Sequence, residues 1–138
     1  MKRTEKKSFR VVTLGIIFDT QTRKILIGRR ENDKLLKELT WSFPGGDPNS
    51  EIDLEKNVEN EVEKKTGFKV KSLGSIFARF LKENHDLILI YYLCEVISGK
   101  EKVGASFKEL KWVSPQELNK YFTTSIDPRL MEHLMHLK

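Results

Sequence analysis

The most informative part of the chain is residues 41–68, which read WSFPGGDPNSEIDLEKNVENEVEKKTGF. Residues 41–43 are typical of a short strand that leads into a Pro-Gly-Gly turn. Ser50 and Asp53 form a start signal that resembles a capping box, with Asp in place of the usual Glu or Gln. Gly67 supplies a stop signal. The segment therefore predicts a strand, a tight turn and a helix in succession.

The predicted helix has one apolar stripe, because Leu54, Val58 and Val62 recur every four residues. This stripe is expected to face a sheet. Strands are predicted before and after the helix in the chain, at residues 9–18, 24–28, 70–81, 85–97 and 108–113. Short helices are predicted at residues 115–121 and 128–137. This order of elements favours an α/β sandwich with a mixed β-sheet.

The length of 138 residues fits one domain. Residues 1–7 hold four basic residues and one acidic residue, so they contribute +3 to the net charge of +5 and leave +2 for residues 8–138. We therefore expect a flexible basic leader over residues 1–7 and a single domain over residues 8–138. Because most of the excess charge lies in the leader, nucleic acid is not the expected partner.

Cys94 is the only cysteine, which excludes an intrachain disulfide and a cysteine-based zinc site. The apolar run at residues 87–94 is eight residues long, whereas a helix needs ~20 to cross a bilayer. We expect a cytoplasmic protein that does not insert into membranes, with Cys94 buried and inert.

The segment 41–68 resembles the Nudix box, whose pattern is Gly, five residues, Glu, seven residues, and then Arg-Glu-apolar-any-Glu-Glu-any-Gly-apolar. Counting from Gly46 needs no gap, since Glu61 falls on the Glu of the Arg-Glu pair and Gly67 on the final glycine. Residues 24–46 and 107–118 also look like Nudix sequence. The resemblance implies a Nudix-type α/β/α sandwich. It also implies a pyrophosphohydrolase that cleaves a nucleoside diphosphate linked to another group, with Mg²⁺ or Mn²⁺ held by the box glutamates.

The chain departs from this pattern at the residues that carry the chemistry. The paired glutamates of the box fall on Lys64 and Lys65, its first glutamate on Ile52 and its arginine on Asn60. Only Glu61 stays in register as a catalytic residue and metal ligand. Glu51 lies one residue before the position of the first glutamate, so it is a candidate second ligand.

Helical spacing places Lys64 and Lys65 three and four residues after Glu61, so both ammonium groups can reach its carboxylate. The three carboxylates that the family pattern places at positions 61, 64 and 65 would carry a charge of −3. The one carboxylate and two ammonium groups of this chain carry +1. A like-charge contact at ~4 Å costs on the order of 4 kcal/mol at an effective dielectric of 20. We therefore expect tight binding of a divalent ion to be lost, and a diphosphate to be held by the lysines directly.

The predicted function is that of a Nudix-fold protein that binds a nucleotide or other diphosphate-containing small molecule, with weak or lost hydrolysis and no required metal. One alternative is an active Mg²⁺- or Mn²⁺-dependent enzyme, in which Glu51 or a carboxylate outside the helix, such as Glu83, Asp86 or Glu109, joins Glu61. A second alternative is a non-catalytic module that binds RNA or protein with the basic leader. The oligomeric state stays open, with a homodimer among the options.

Further candidates lie beside the box. Arg29 and Arg30 end a strand, and in similar proteins this region borders the substrate cleft, where guanidinium groups suit phosphate. Trp41 and Phe43 either stack on a base or fill the core. The resemblance also implies that the Gly45 carbonyl contributes to metal coordination. The neighbouring Gly46 is a substrate-binding candidate at the turn.

Overall fold

The computed structural model describes residues 8–30, 40–104 and 106–138. In chain order the elements are β1 (Arg10–Asp19), β2 (Lys24–Arg30), β3 (Trp41–Ser42), β4 (Gly45–Gly46), α1 (Leu54–Thr66), β5 (Phe68–Leu81), β6 (Asn84–Gly99), β7 (Phe107–Val113), a 3₁₀ turn (Pro115–Glu117), α2 (Leu118–Tyr121) and α3 (Pro128–Met135). The predicted strands and helices are present, and most of their ends differ by one or two residues. The predicted basic leader, residues 1–7, lies outside the described residues.

The sheet is mixed. Its strand order is β3-β2-β1-β6-β5, with β4 paired to β1 and β7 to β2. The central pair β1–β6 is parallel, whereas β1–β2 and β5–β6 are antiparallel. Parallel neighbours require a crossover, and the chain between β1 and β6 provides it through α1.

Alternate residues of β1 point into two separate hydrophobic clusters. Ile17 packs with Val58 and Val62 of α1, while Ile16 packs with Leu130 and Leu134 of α3. One helix therefore covers each face of the sheet, because side chains alternate across a strand. This arrangement confirms the predicted α/β/α sandwich with a mixed sheet.

The start of α1 differs from the prediction. Asp53 is the N-cap, and its side chain accepts a hydrogen bond from the Lys56 backbone N–H, so the helix begins at Leu54 rather than near Ser50. Leu54 is exposed, and only Val58 and Val62 of the predicted stripe are fully buried. Gly67 ends the helix in the left-handed conformation, at φ 81°, as its position predicts.

Cys94 is buried in β6, and burial raises the pKa of its thiol from 9.0 to about 12. A thiol that stays neutral in the folded state contributes stability below pH 9, and this contribution is lost as the pH rises from 9 to about 12. We expect a thiol reagent at pH 8 to label Cys94 only in denaturant. The stability advantage of the wild type over Cys94→Ala should narrow above pH 9. Labelling of the native protein at the rate seen in denaturant would contradict this placement.

No helix in the described part of the chain is long and apolar enough to cross a membrane.

Candidate functional site

The Pro-Gly-Gly turn is held against the middle of β1. Thr13 pairs with Gly46 and Leu14 with Gly45, and the Thr13 hydroxyl donates to the Gly46 carbonyl at 3.2 Å. A Cβ added to Gly45 would lie 1.9 Å from the Thr13 carbonyl oxygen, so this close approach requires glycine. The turn thereby presents the Gly45 carbonyl to the last turns of α1.

Lys65 occupies the space beside this carbonyl. Its side chain is 11% exposed, and its Nζ donates a hydrogen bond to the Gly45 carbonyl oxygen. The same Nζ lies 3.7 Å from Glu61 Oε2. An ammonium group therefore bridges the turn and the only box carboxylate that stays in register.

Lys64 approaches Glu61 from the solvent side. Its side chain is 61% exposed, and its Nζ lies 3.7 Å from Glu61 Oε1. The sequence prediction that both lysines reach this carboxylate is confirmed. The local charge is +1, because one carboxylate faces two ammonium groups.

Charged groups of both signs surround the Lys65 ammonium. Burial is the main cause of the lowered pKa of Lys65, and the charge of Arg30 and Lys64 lowers it further. The charge of Glu61 opposes these effects. The hydrogen bond from Arg10 is the main cause of the lowered pKa of Asp47, and the charges of Lys65 and Arg30 lower it further. Arg30 at the end of β2 therefore shares one electrostatic environment with both lysines.

Asn57 braces the loop between the turn and α1. Its side-chain amide donates to Thr13 Oγ1 at 3.3 Å and to the Asp47 carbonyl at 3.1 Å, and its Oδ1 accepts from the Asn49 N–H. The sequence analysis did not identify Asn57. Helical spacing offered the signal, since Asn57 lies four residues before Glu61 and next to the buried Val58.

The residues present do not suit a divalent ion in the manner of the Nudix box. Mg²⁺ and Mn²⁺ need oxygen ligands, and a lysine ammonium supplies none and repels the ion. Within residues 8–30, 40–104 and 106–138, no group of three or more His, Cys, Asp or Glu side chains could hold a metal. The Gly45 carbonyl and Glu61, both proposed as ligands, instead contact Lys65.

The other carboxylates that were predicted as candidate metal ligands either have partners elsewhere or do not group with Glu61. Glu109 Oε1 accepts from Arg29 Nε at 3.1 Å, and Glu83 accepts from the backbone and hydroxyl of Ser125. Asp86 follows the tip of the β5–β6 hairpin, and Glu51 is exposed in the loop before α1. None of them joins Glu61 in a group of three among the described residues.

A cavity of about 100 Å³ lies on the face of the sheet that α3 covers. Arg30, Trp41 and Phe43 line it, so the structure brings these three predicted residues together. Phe43 is also a core residue, packed edge-on against Phe122 with ring centroids 4.9 Å apart. Gly46 faces Glu61 instead, because a Cβ added there would lie 2.9 Å from Glu61 Cδ.

Comparison with known proteins places this geometry in a family. A family model described as the NUDIX domain matches residues 8–134. The chain belongs to the Nudix family. Nudix proteins act on nucleoside diphosphate-linked substrates and generally use divalent metals, so the lysines of this box stand out against the family pattern.

Solved structures show the same Nudix fold. A MutT protein from Methanosarcina mazei Go1 is 19% identical, with a TM-score of 0.73 over 95% of this chain and 96% of its own. The ORF135 protein of E. coli is 20% identical, with a TM-score of 0.65 over 93% and 87%. An ADP-ribose pyrophosphatase from Streptococcus suis is 22% identical, with a TM-score of 0.59 over 79% and 76%. No curated protein matches the sequence.

Proposed function

We propose that this Nudix protein binds a nucleotide or other diphosphate-containing small molecule directly through its cationic side chains, and that its pyrophosphohydrolase activity is weak or lost. The observation that carries the proposal is the position of Lys65, whose Nζ contacts both the Gly45 carbonyl and Glu61. A fixed ammonium offsets phosphate charge, but it does not lower the pKa of an attacking water as a metal does. Binding without efficient cleavage follows.

Three cations supply the phosphate site in this proposal. Lys64 is exposed and can contact a diphosphate, while the buried Lys65 contributes positive potential from below. Arg30 lines the cavity, and its charge acts on Lys65. Arg29, the other arginine of the sequence prediction, pairs with Glu109 Oε1 at 3.1 Å. Trp41 and Phe43 provide the apolar surface for the group attached to the diphosphate.

The test combines binding and turnover. We expect ADP-ribose, nucleotide sugars and nucleoside triphosphates to show no metal-dependent turnover in Mg²⁺ or Mn²⁺ above that in chelator. Calorimetry should give the same affinity for a nucleoside diphosphate with and without chelator. Lys64→Ala should weaken this affinity about tenfold, as expected for a charge-assisted contact of about 1.4 kcal/mol.

Lys56→Ala is the matched control for Lys64→Ala. Lys56 lies on the same helix, is 63% exposed and contacts a glutamate three residues away, Glu59, at 3.9 Å. Lys56→Ala should leave the affinity for the nucleoside diphosphate unchanged, because Lys56 lies two helical turns from Lys64. Metal-dependent turnover near ~1 to 10 s⁻¹ would contradict the proposal and favour the active enzyme, with Glu61 and a carboxylate outside the box as ligands.

A cytoplasmic setting forms part of the proposal, since the single cysteine is buried and unpaired.

A further inference from the structure

Asp47 brings a carboxylate close to the cationic side chains of the phosphate site. It directly follows Gly46, and a Cβ added to Gly46 would lie 2.9 Å from Glu61 Cδ. Consecutive Cα atoms are ~3.8 Å apart and a carbon–carbon bond is ~1.5 Å long, so the Asp47 Cα lies within about 8 Å of Glu61 Cδ. Asp47 is therefore a neighbour of the carboxylate that both lysines contact.

The Lys65 ammonium lies on the side of the turn that faces away from β1. The Pro44 carbonyl accepts a hydrogen bond from the Gly15 N–H at 2.7 Å, so it points toward β1. Successive carbonyls along a strand point to opposite edges, so the Gly45 carbonyl points away from β1, and Lys65 donates to it there. Groups from either face of the sheet can reach an ammonium in this position.

The Asp47 carboxylate is held beside the turn and interacts with the same ammonium. It accepts hydrogen bonds from Arg10 Nε at 3.0 Å and from a terminal nitrogen of Arg10 at 2.5 Å. The charges of Lys65 and Arg30 also act on it. The Asp47 side chain is 54% exposed, so a ligand can approach it. One anion therefore lies among the cations that are proposed to bind phosphate.

A fixed carboxylate in this position opposes each negative charge that a ligand brings. At a separation of ~8 Å in a water-like dielectric, Coulomb's law gives a loss of about twofold in affinity for each unit of ligand charge. A terminal phosphate carries a second charge at neutral pH, since its second pKa is ~6. Terminal di- and triphosphates are therefore penalised more than a diphosphate that is esterified at both ends.

We propose that Asp47 is a specificity-determining residue of the phosphate site: its carboxylate discriminates against ligands of higher negative charge and favours a diphosphate that is esterified at both ends. The proposal rests on the proposed function, because a phosphate must occupy the cationic site before Asp47 can act on it.

Calorimetric titration in chelator with ADP-ribose, ADP and ATP tests the role of Asp47, since these ligands carry charges of about −2, −3 and −4 at pH 8. Asp47→Asn should strengthen the binding of all three, and the gain should rise about twofold with each added charge. At ~1 M salt, where the Debye length falls to ~3 Å, the three gains should converge. No gain, or an equal gain for the three ligands at low salt, would overturn the inference.

Asp127→Asn is the matched control for Asp47→Asn. The Asp127 carboxylate also accepts two hydrogen bonds from an arginine side chain, that of Arg129, at 3.2 and 3.1 Å, but it lies at the start of α3. Asparagine can replace it as the N-cap of α3, so the variant should stay folded and leave all three affinities unchanged. If it gave the same gains as Asp47→Asn, overall net charge would explain them and the inference would fail.

Arg10→Gln separates two causes of a gain, because Asp47→Asn also removes one charged partner of Arg10. If the carboxylate acts directly, Asp47→Asn should give an equal or larger charge-dependent gain in the Arg10→Gln background. A gain that vanishes in this background would assign the effect to Arg10 and overturn the inference, while pyrophosphate binding by the wild type would still uphold the proposed function. Failure of pyrophosphate and all three nucleotides to bind the wild type and Asp47→Asn would overturn both.

Discussion

Replacing Lys64 and Lys65 together by glutamate is expected to create a Mn²⁺ site beside the Gly45 carbonyl. The substitutions would place two carboxylates within reach of Glu61 and would free the Gly45 carbonyl from the Lys65 ammonium. The local charge would change from +1 to −3. We expect Mn²⁺ affinity to rise at least about 100-fold, which corresponds to about 2.8 kcal/mol and is less than the Coulomb energy of the two repulsions removed.

The gain can be measured by titrating Mn²⁺ and following the loss of the free-ion EPR signal. Mn²⁺ should also raise the melting temperature of the variant, because three neighbouring carboxylates repel one another until an ion binds. A variant with Lys56 and Lys69 replaced by glutamate is the charge-matched control, since both lysines are exposed and away from the turn. Equal Mn²⁺ binding by the two variants would show that general charge, rather than the position of Lys64 and Lys65, controls metal affinity.

Gly45→Ala is expected to destabilise the fold by at least about 3 kcal/mol, at the upper end of the usual cost of overpacking. The new Cβ would lie 1.9 Å from the Thr13 carbonyl oxygen and 2.8 Å from Leu14 Cα. Both atoms belong to the backbone of β1, which pairs with β6 through eight consecutive residues and cannot move aside locally. Urea denaturation monitored by circular dichroism would measure the loss.

Gly46→Ala is the neighbouring comparison. Its Cβ would meet the end of the Glu61 side chain at 2.9 Å, and a side chain can rotate away. We expect a cost below about 1 kcal/mol, together with altered ligand binding because Glu61 and its two lysines are displaced. If the two substitutions cost the same, the turn would not be held against β1 as closely as the structure indicates.

Helical spacing was enough to predict the chemistry of α1. Residues three and four apart are neighbours on any helix, so the contacts of Lys64 and Lys65 with Glu61 follow from sequence separation alone. The same local logic predicted Gly67 as the helix stop and the apolar run around Cys94 as a buried strand. It misplaced the start of α1, because Ser50 and Asp53 both carry capping signals and only tertiary packing selects between them.

Sequence alone therefore determined the fold class, the family resemblance and the reversal of charge at the end of α1, because each depends on periodicity, on spacing or on the order of elements along the chain. The tertiary structure decided that the Lys65 ammonium lies on the Gly45 carbonyl, that Asn57 braces the loop, and that Trp41 and Phe43 line one cavity. These features join residues from different strands and helices. Their positions are fixed by packing between the two faces of the sheet, which no local pattern encodes.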